Sequence, residues 1–72
     1  MTGPAPAELR IAGRPGVFVA EECTIDGGVV TASGRWRERC GLHGAEFRWR
    51  EHVVKTWPIG RLEEVRWLTP AA

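Results

Sequence analysis

Residues 35–39 read Arg-Trp-Arg-Glu-Arg and residues 47–50 read Phe-Arg-Trp-Arg, two runs in which arginine takes every second position with Trp36, Phe47 and Trp49 interleaved. A period of two belongs to an extended strand, whose successive side chains project to opposite faces. Gly41-Leu-His-Gly44 separates the runs, and Asp26-Gly27-Gly28 precedes the first. Both are turn signals, and the second is a strong one for a hairpin because Asp and Gly accept positive φ. The chain is expected to be all-β.

Strands can be placed from the same alternation. Leu9 and Ile11 start a short first strand, which Gly13-Arg-Pro-Gly16 turns. Val17 to Ile25 forms a second, with Val17, Val19, Cys23 and Ile25 on one face and Glu21 breaking the pattern. Val29 to Arg39 places Val30, Ala32, Gly34 and Trp36 inward and Thr31, Ser33, Arg35, Arg37 and Arg39 outward. Ala45 to Thr56 returns with Ala45, Phe47, Trp49 and Val53 inward and Glu46, Arg48, Arg50 and His52 outward. If residues 41–44 make the turn, Trp36 falls opposite Trp49 in the core, Arg37 opposite Arg48, Arg35 opposite Arg50 and Arg39 opposite Glu46. Trp57-Pro58 ends that strand, since proline lacks the amide hydrogen a ladder needs. Ile59-Gly-Arg-Leu62 makes a tight turn and Val65-Arg-Trp67-Leu68 a closing strand. The competing reading, a helix from Ile59 to Leu68, is weakened by Gly60 and by the Val-x-Trp alternation.

At 72 residues there is room for one domain, near the size at which a single core only just suffices. The four tryptophans help, each burying a large apolar area. Residues 1–8 and 69–72, rich in small residues and proline, read as flexible tails around a single domain at 9–68. Its element order resembles the small Src-homology-3-like and Sm-like β-barrels. The matching segments are Thr24-Ile-Asp-Gly-Gly-Val-Val30 and Trp57-Pro-Ile-Gly-Arg-Leu-Glu-Glu-Val-Arg-Trp67. The resemblance implies a five-stranded antiparallel barrel with a short helical turn before the last strand. Barrels of that kind host RNA binding, peptide binding and assembly, so the likeness implies a fold more than a function. Neither an Sm RNA-binding signature nor an aromatic-rich peptide groove is visible, so no family site residue carries over.

The net charge is only +1, so an anion-binding role must come from local clustering. In the expected register Arg37 faces Arg48 and Arg35 faces Arg50, and like charges across a ladder destabilise it. An anionic partner would relieve that repulsion, and the leading expectation is a non-enzymatic adaptor contacting a nucleic-acid backbone or an acidic protein surface. Arg35, Arg37, Arg39, Arg48 and Arg50 would carry the contact. The bland alternative is an arginine-rich surface set by GC-rich coding: Lys55 is the sole lysine, and Asn, Gln and Tyr are absent. The functional alternative is a protein–protein or self-assembly module, possible as a homo-oligomer, using an open strand edge or leftover apolar surface, of a size that would suit a phage or mobile-element accessory protein. Base-specific reading is not expected without Asn or Gln and with the aromatics assigned to the core.

Other chemistries find little footing. Cys40-Gly-Leu-His43 has a spacing zinc accepts, but Cys23 and His52 are the only further soft ligands. Cys23 falls opposite Val30 or Ala32, which sets it roughly 26–33 Å from Cys40 along the strand. That distance disfavours both a metal site and a disulfide. Ser33 and His52 fall opposite each other, the start of a nucleophile–base pair with no third member and no pocket. Glu21-Glu22 and Glu63-Glu64 are acidic pairs, and an inward Glu21 would protect an edge or mark a bulge or a barrel mouth. No enzyme activity, cofactor, metal or small-molecule substrate is expected. No run is apolar enough to span a membrane and no secretory signal opens the chain, so a cytoplasmic protein is the default.

Overall fold

The computed structural model describes residues 4–68 and is all-β among them. Six strands follow in order: β1 (Ala5–Ile11), β2 (Val17–Asp26), β3 (Val29–Cys40), β4 (Glu46–Trp49), β5 (Val53–Pro58) and β6 (Leu62–Trp67). A one-turn 3₁₀ element, Leu42–Gly44, precedes β4, and a second, Ile59–Arg61, precedes β6. The strands form one antiparallel sheet in the order β4-β3-β2-β1-β6, with β5 also paired to β3. The turn-plus-strand reading of residues 59–68 holds, with the strand beginning earlier, at Leu62. The first strand also begins early, so residues 5–8 belong to β1 rather than to a tail. The tails expected at 1–3 and 69–72 lie outside the described residues.

The first hairpin forms where Asp26-Gly27-Gly28 called for it. Asp26 pairs with Val29, leaving a two-residue loop in which Gly27 and Gly28 have φ of 59° and 78°. A type I′ turn requires positive φ at both positions. On β3 the expected faces are correct: Val30, Ala32, Gly34 and Trp36 are buried while Val29, Thr31 and Arg35 are exposed. On β2 they are correct only beyond Glu21. Ala20 pairs with Gly34 and Glu22 with Ser33, so Glu21 is an unpaired bulge residue. One inserted residue exchanges the faces. Ahead of the bulge Phe18 and Ala20 therefore join the core cluster; Val17 is buried as expected but lies opposite Arg37, and Val19 is only half-buried.

The fourth strand departs more. It is split at residues 50–52 into β4, on the C-terminal half of β3, and β5, on its N-terminal half. The sheet is then rolled by chain length alone. Pro58, on one edge, and Leu62, on the other, are separated only by Ile59–Arg61, a reach of at most about 14 Å. Laid flat, five strand columns would set those edges about 19 Å apart. The sheet curls around Leu9, Phe18, Val30 and Trp36, with Val53, Trp57, Leu62 and Val65 packed at the margins. Phe18 meets Trp36 and Trp57 edge-on, at centroid distances of 5.1 and 5.3 Å. β5 and β6 share no ladder, so the result is an open six-stranded sheet where the sequence led us to expect a closed five-stranded barrel.

Candidate functional site

The second hairpin decides the site. Cys40 pairs with Glu46, so the loop runs from residue 41 to 45 and includes Ala45. His43 and Gly44 both take left-handed backbone, φ 65° and 63°, which lengthens the turn by one residue over the expected 41–44. Every pair beyond it slips by one: Arg37 faces Trp49, Glu38 faces Arg48, and Arg39 faces Phe47. A one-residue slip moves a whole strand's side chains to the other face.

The five arginines are thus divided. Arg35, Arg37 and Arg39 line the outer face of β3, as expected. Arg48 lies on the opposite side, paired in register with Glu38, and the predicted Arg37–Arg48 and Arg35–Arg50 ladder pairs do not form. Arg50 follows β4, donates its backbone N–H to the Trp36 carbonyl at 2.9 Å and places Nη1 3.8 Å from Glu38 Oε1. Glu38 also takes Arg14 Nη2 at 3.3 Å.

What the slip removes in charge it returns in aromatic surface. Phe47 and Trp49, assigned by sequence to the core, stand on the arginine face, 49% and 51% exposed. The Arg37 guanidinium lies 5.0 Å from the Phe47 ring centroid and 6.0 Å from that of Trp49, and Arg39 lies 5.3 Å from Phe47. These are cation–π distances. Arg39 further donates to the Gly44 carbonyl at 3.1 Å, and Arg37 Nη1 sits 3.6 Å from Glu8 Oε2. Arg35 and Arg48 enter no ion pair among the described residues. A cleft of about 490 Å³ opens beside the platform, with Arg10, Arg37, Arg39 and Phe47 around Val17 and a single carboxylate, Glu38.

The other face offers less aromatic area. Trp36 is 6% exposed, with the Arg14 guanidinium 4.4 Å above its ring. Arg14 and Lys55 nonetheless flank a smaller cleft there with Arg61. Sequence reading missed the Arg14–Trp36 stack, since nothing local links a turn residue to a ring on β3.

Ser33 and His52 do not meet. Ser33 pairs with Val54, and His52 falls in the break between β4 and β5 with Nε2 3.9 Å from Glu21 Oε1. Among the described residues no cluster of three or more His, Cys, Asp or Glu is placed to hold a metal ion. Cys23 and Cys40 are both free thiols. Cys23 is buried opposite Ala32, and burial raises its pKa above the ordinary 9.0. No helix among the described residues is long and apolar enough to cross a membrane. No protein-family model matches this chain, and no curated protein and no solved structure matches it significantly.

Proposed function

We propose that this protein is a non-enzymatic binding module that holds single-stranded nucleic acid against its outer face. The carrying observation is that Phe47 and Trp49 stand half-exposed among Arg35, Arg37 and Arg39. Nonspecific single-strand binders join the same two elements: cations that follow the phosphate backbone, and upright rings on which bases stack. Duplex DNA would meet the cations but could not offer unstacked bases. An acidic protein surface is the competing partner, since it too would use the cations. Recognition would be sequence-tolerant, because stacking suits every base and the chain has no Asn or Gln for bidentate base contacts. The separation of Ser33 from His52 supports binding over catalysis. Two unpaired thiols suit a reducing compartment, which fits a cytoplasmic location.

The test is fluorescence anisotropy with a labelled oligothymidylate. Contact through three arginines gives a log–log salt slope of about −2 for a single strand. Arg37→Glu with Arg39→Glu should abolish binding, whereas Arg48→Glu with Arg50→Glu, on the other side, should change it little. Trp49→Ala should weaken binding about fivefold or more. Equal loss from the two arginine pairs, or equal affinity for duplex, would remove the single-strand reading.

A further inference from the structure

The sheet's two edges are not alike. The β4/β5 edge is interrupted at residues 50–52, carries Lys55 and ends at Pro58, all features that discourage strand addition. β6 runs from Leu62 to Trp67 without proline or lysine, has one bulge at Glu63, and among the described residues pairs only with β1. Trp67 is 45% exposed there.

Which groups β6 leaves unpaired follows from its ladder. The Leu68 N–H donates to the Pro6 carbonyl at 2.9 Å, so Leu68–Pro6 is a hydrogen-bonded pair. Such pairs alternate along an antiparallel ladder. Arg66–Glu8 and Glu64–Arg10 are then bonded pairs as well. Val65 and Trp67 turn their N–H and C=O groups to the free edge.

We infer that β6 is a homodimerisation edge, pairing antiparallel with β6 of a second copy about a two-fold axis at Val65. Charge selects the register. The free groups require Val65 and Trp67 to meet odd-numbered positions of the partner strand. Shifted two residues in one direction, Glu64 faces the partner's Glu64; shifted two in the other, Arg66 faces the partner's Arg66. Only the register with Val65 on the axis sets Glu64 opposite the partner's Arg66, and does so twice by symmetry. The net charge of +1 offers little long-range repulsion to two copies. An axis perpendicular to the sheet puts both outer faces on the same side, with the two β3 strands about 34 Å apart along the sheet. This inference does not depend on what the outer face binds.

Sedimentation equilibrium of the full chain tests it. From micromolar to millimolar concentration a monomer–dimer equilibrium with mild salt dependence is expected. Glu64→Arg gives up the 3.1 Å ion pair with Arg10 in the monomer, sets like charges across both symmetric pairs and should weaken association about tenfold. Adding Arg66→Glu restores opposite signs and should restore association. In a Cys40→Ser background, Val65→Cys should cross-link under mild oxidation, because a bonded pair's Cα atoms lie about 5.5 Å apart, within disulfide reach. A strictly monomeric protein, an oligomer larger than a dimer, or a dimer indifferent to Glu64→Arg would overturn the assignment. Should Val65→Cys fail to fold, the Glu64 and Arg66 variants decide alone.

Discussion

Gly34 is the position where this sheet tolerates least. It lies on β3 opposite Ala20, one step from the Glu21 bulge, with Val53 on its other flank. A Cβ built there would sit 2.1 Å from the Val19 carbonyl oxygen and 2.7 Å from Ala20 Cα. Both are backbone atoms of a central strand, so no side chain can swing aside. Gly34→Ala must push β2 from β3 at the bulge, and ordinary overpacking already costs about 1–3 kcal/mol. We expect the upper end, about 3 kcal/mol, against a total of about 4–11 kcal/mol for a domain of this size. The melting temperature should fall by roughly 12–24 °C. Gly60→Ala is the matched control, since its Cβ would meet nothing within 4 Å and its φ is not positive. It should leave stability unchanged or raise it by up to about 1 kcal/mol. Thermal and urea unfolding followed by circular dichroism would report both. If Gly34→Ala melts within a few degrees of the parent protein, the close β2–β3 approach at the bulge is wrong, and with it the facing of Phe18 and Ala20.

Two further outcomes follow from the core. Phe18→Ala removes a fully buried ring that meets Trp36 and Trp57 edge-on; it should cost about 3–5 kcal/mol in urea unfolding, and a loss below about 2 kcal/mol would contradict that packing. Cys23, buried with a raised pKa, should resist iodoacetamide in the native protein while half-buried Cys40 reacts. The unfolded thiol ionises before the native one as pH rises, so native stability should drop above the ordinary thiol pKa of 9.0. Cys23→Ala should flatten that decline; an unchanged pH profile would count against the assignment.

Much of the framework is legible in the residues alone. Asp26-Gly27-Gly28 dictates a two-residue turn because both glycines must take positive φ. β3 shows its faces directly, since twelve residues alternate between Val29 and Cys40 with no insertion to disturb the count. Pro58 ends β5 and the 59–61 turn precedes β6 because proline cannot continue a ladder and Gly60 weakens a helix. The arginine run on β3 was therefore readable, and so was its outward direction.

The aromatic half of the candidate site was not. Local alternation specifies which residues of a strand share a face, and says nothing of which face that is once the count is interrupted. Three interruptions carried the outcome: the Glu21 bulge, the one-residue lengthening of the 41–45 loop through His43 and Gly44, and the break at residues 50–52. Each changes the residue count between neighbouring strands, which no local pattern reports. The chain's own chemistry thus determined its strands, its turns and one cationic stripe. Tertiary packing decided that Trp49 and Phe47 stand beside that stripe, because parity along a strand is lost or regained with every single inserted residue.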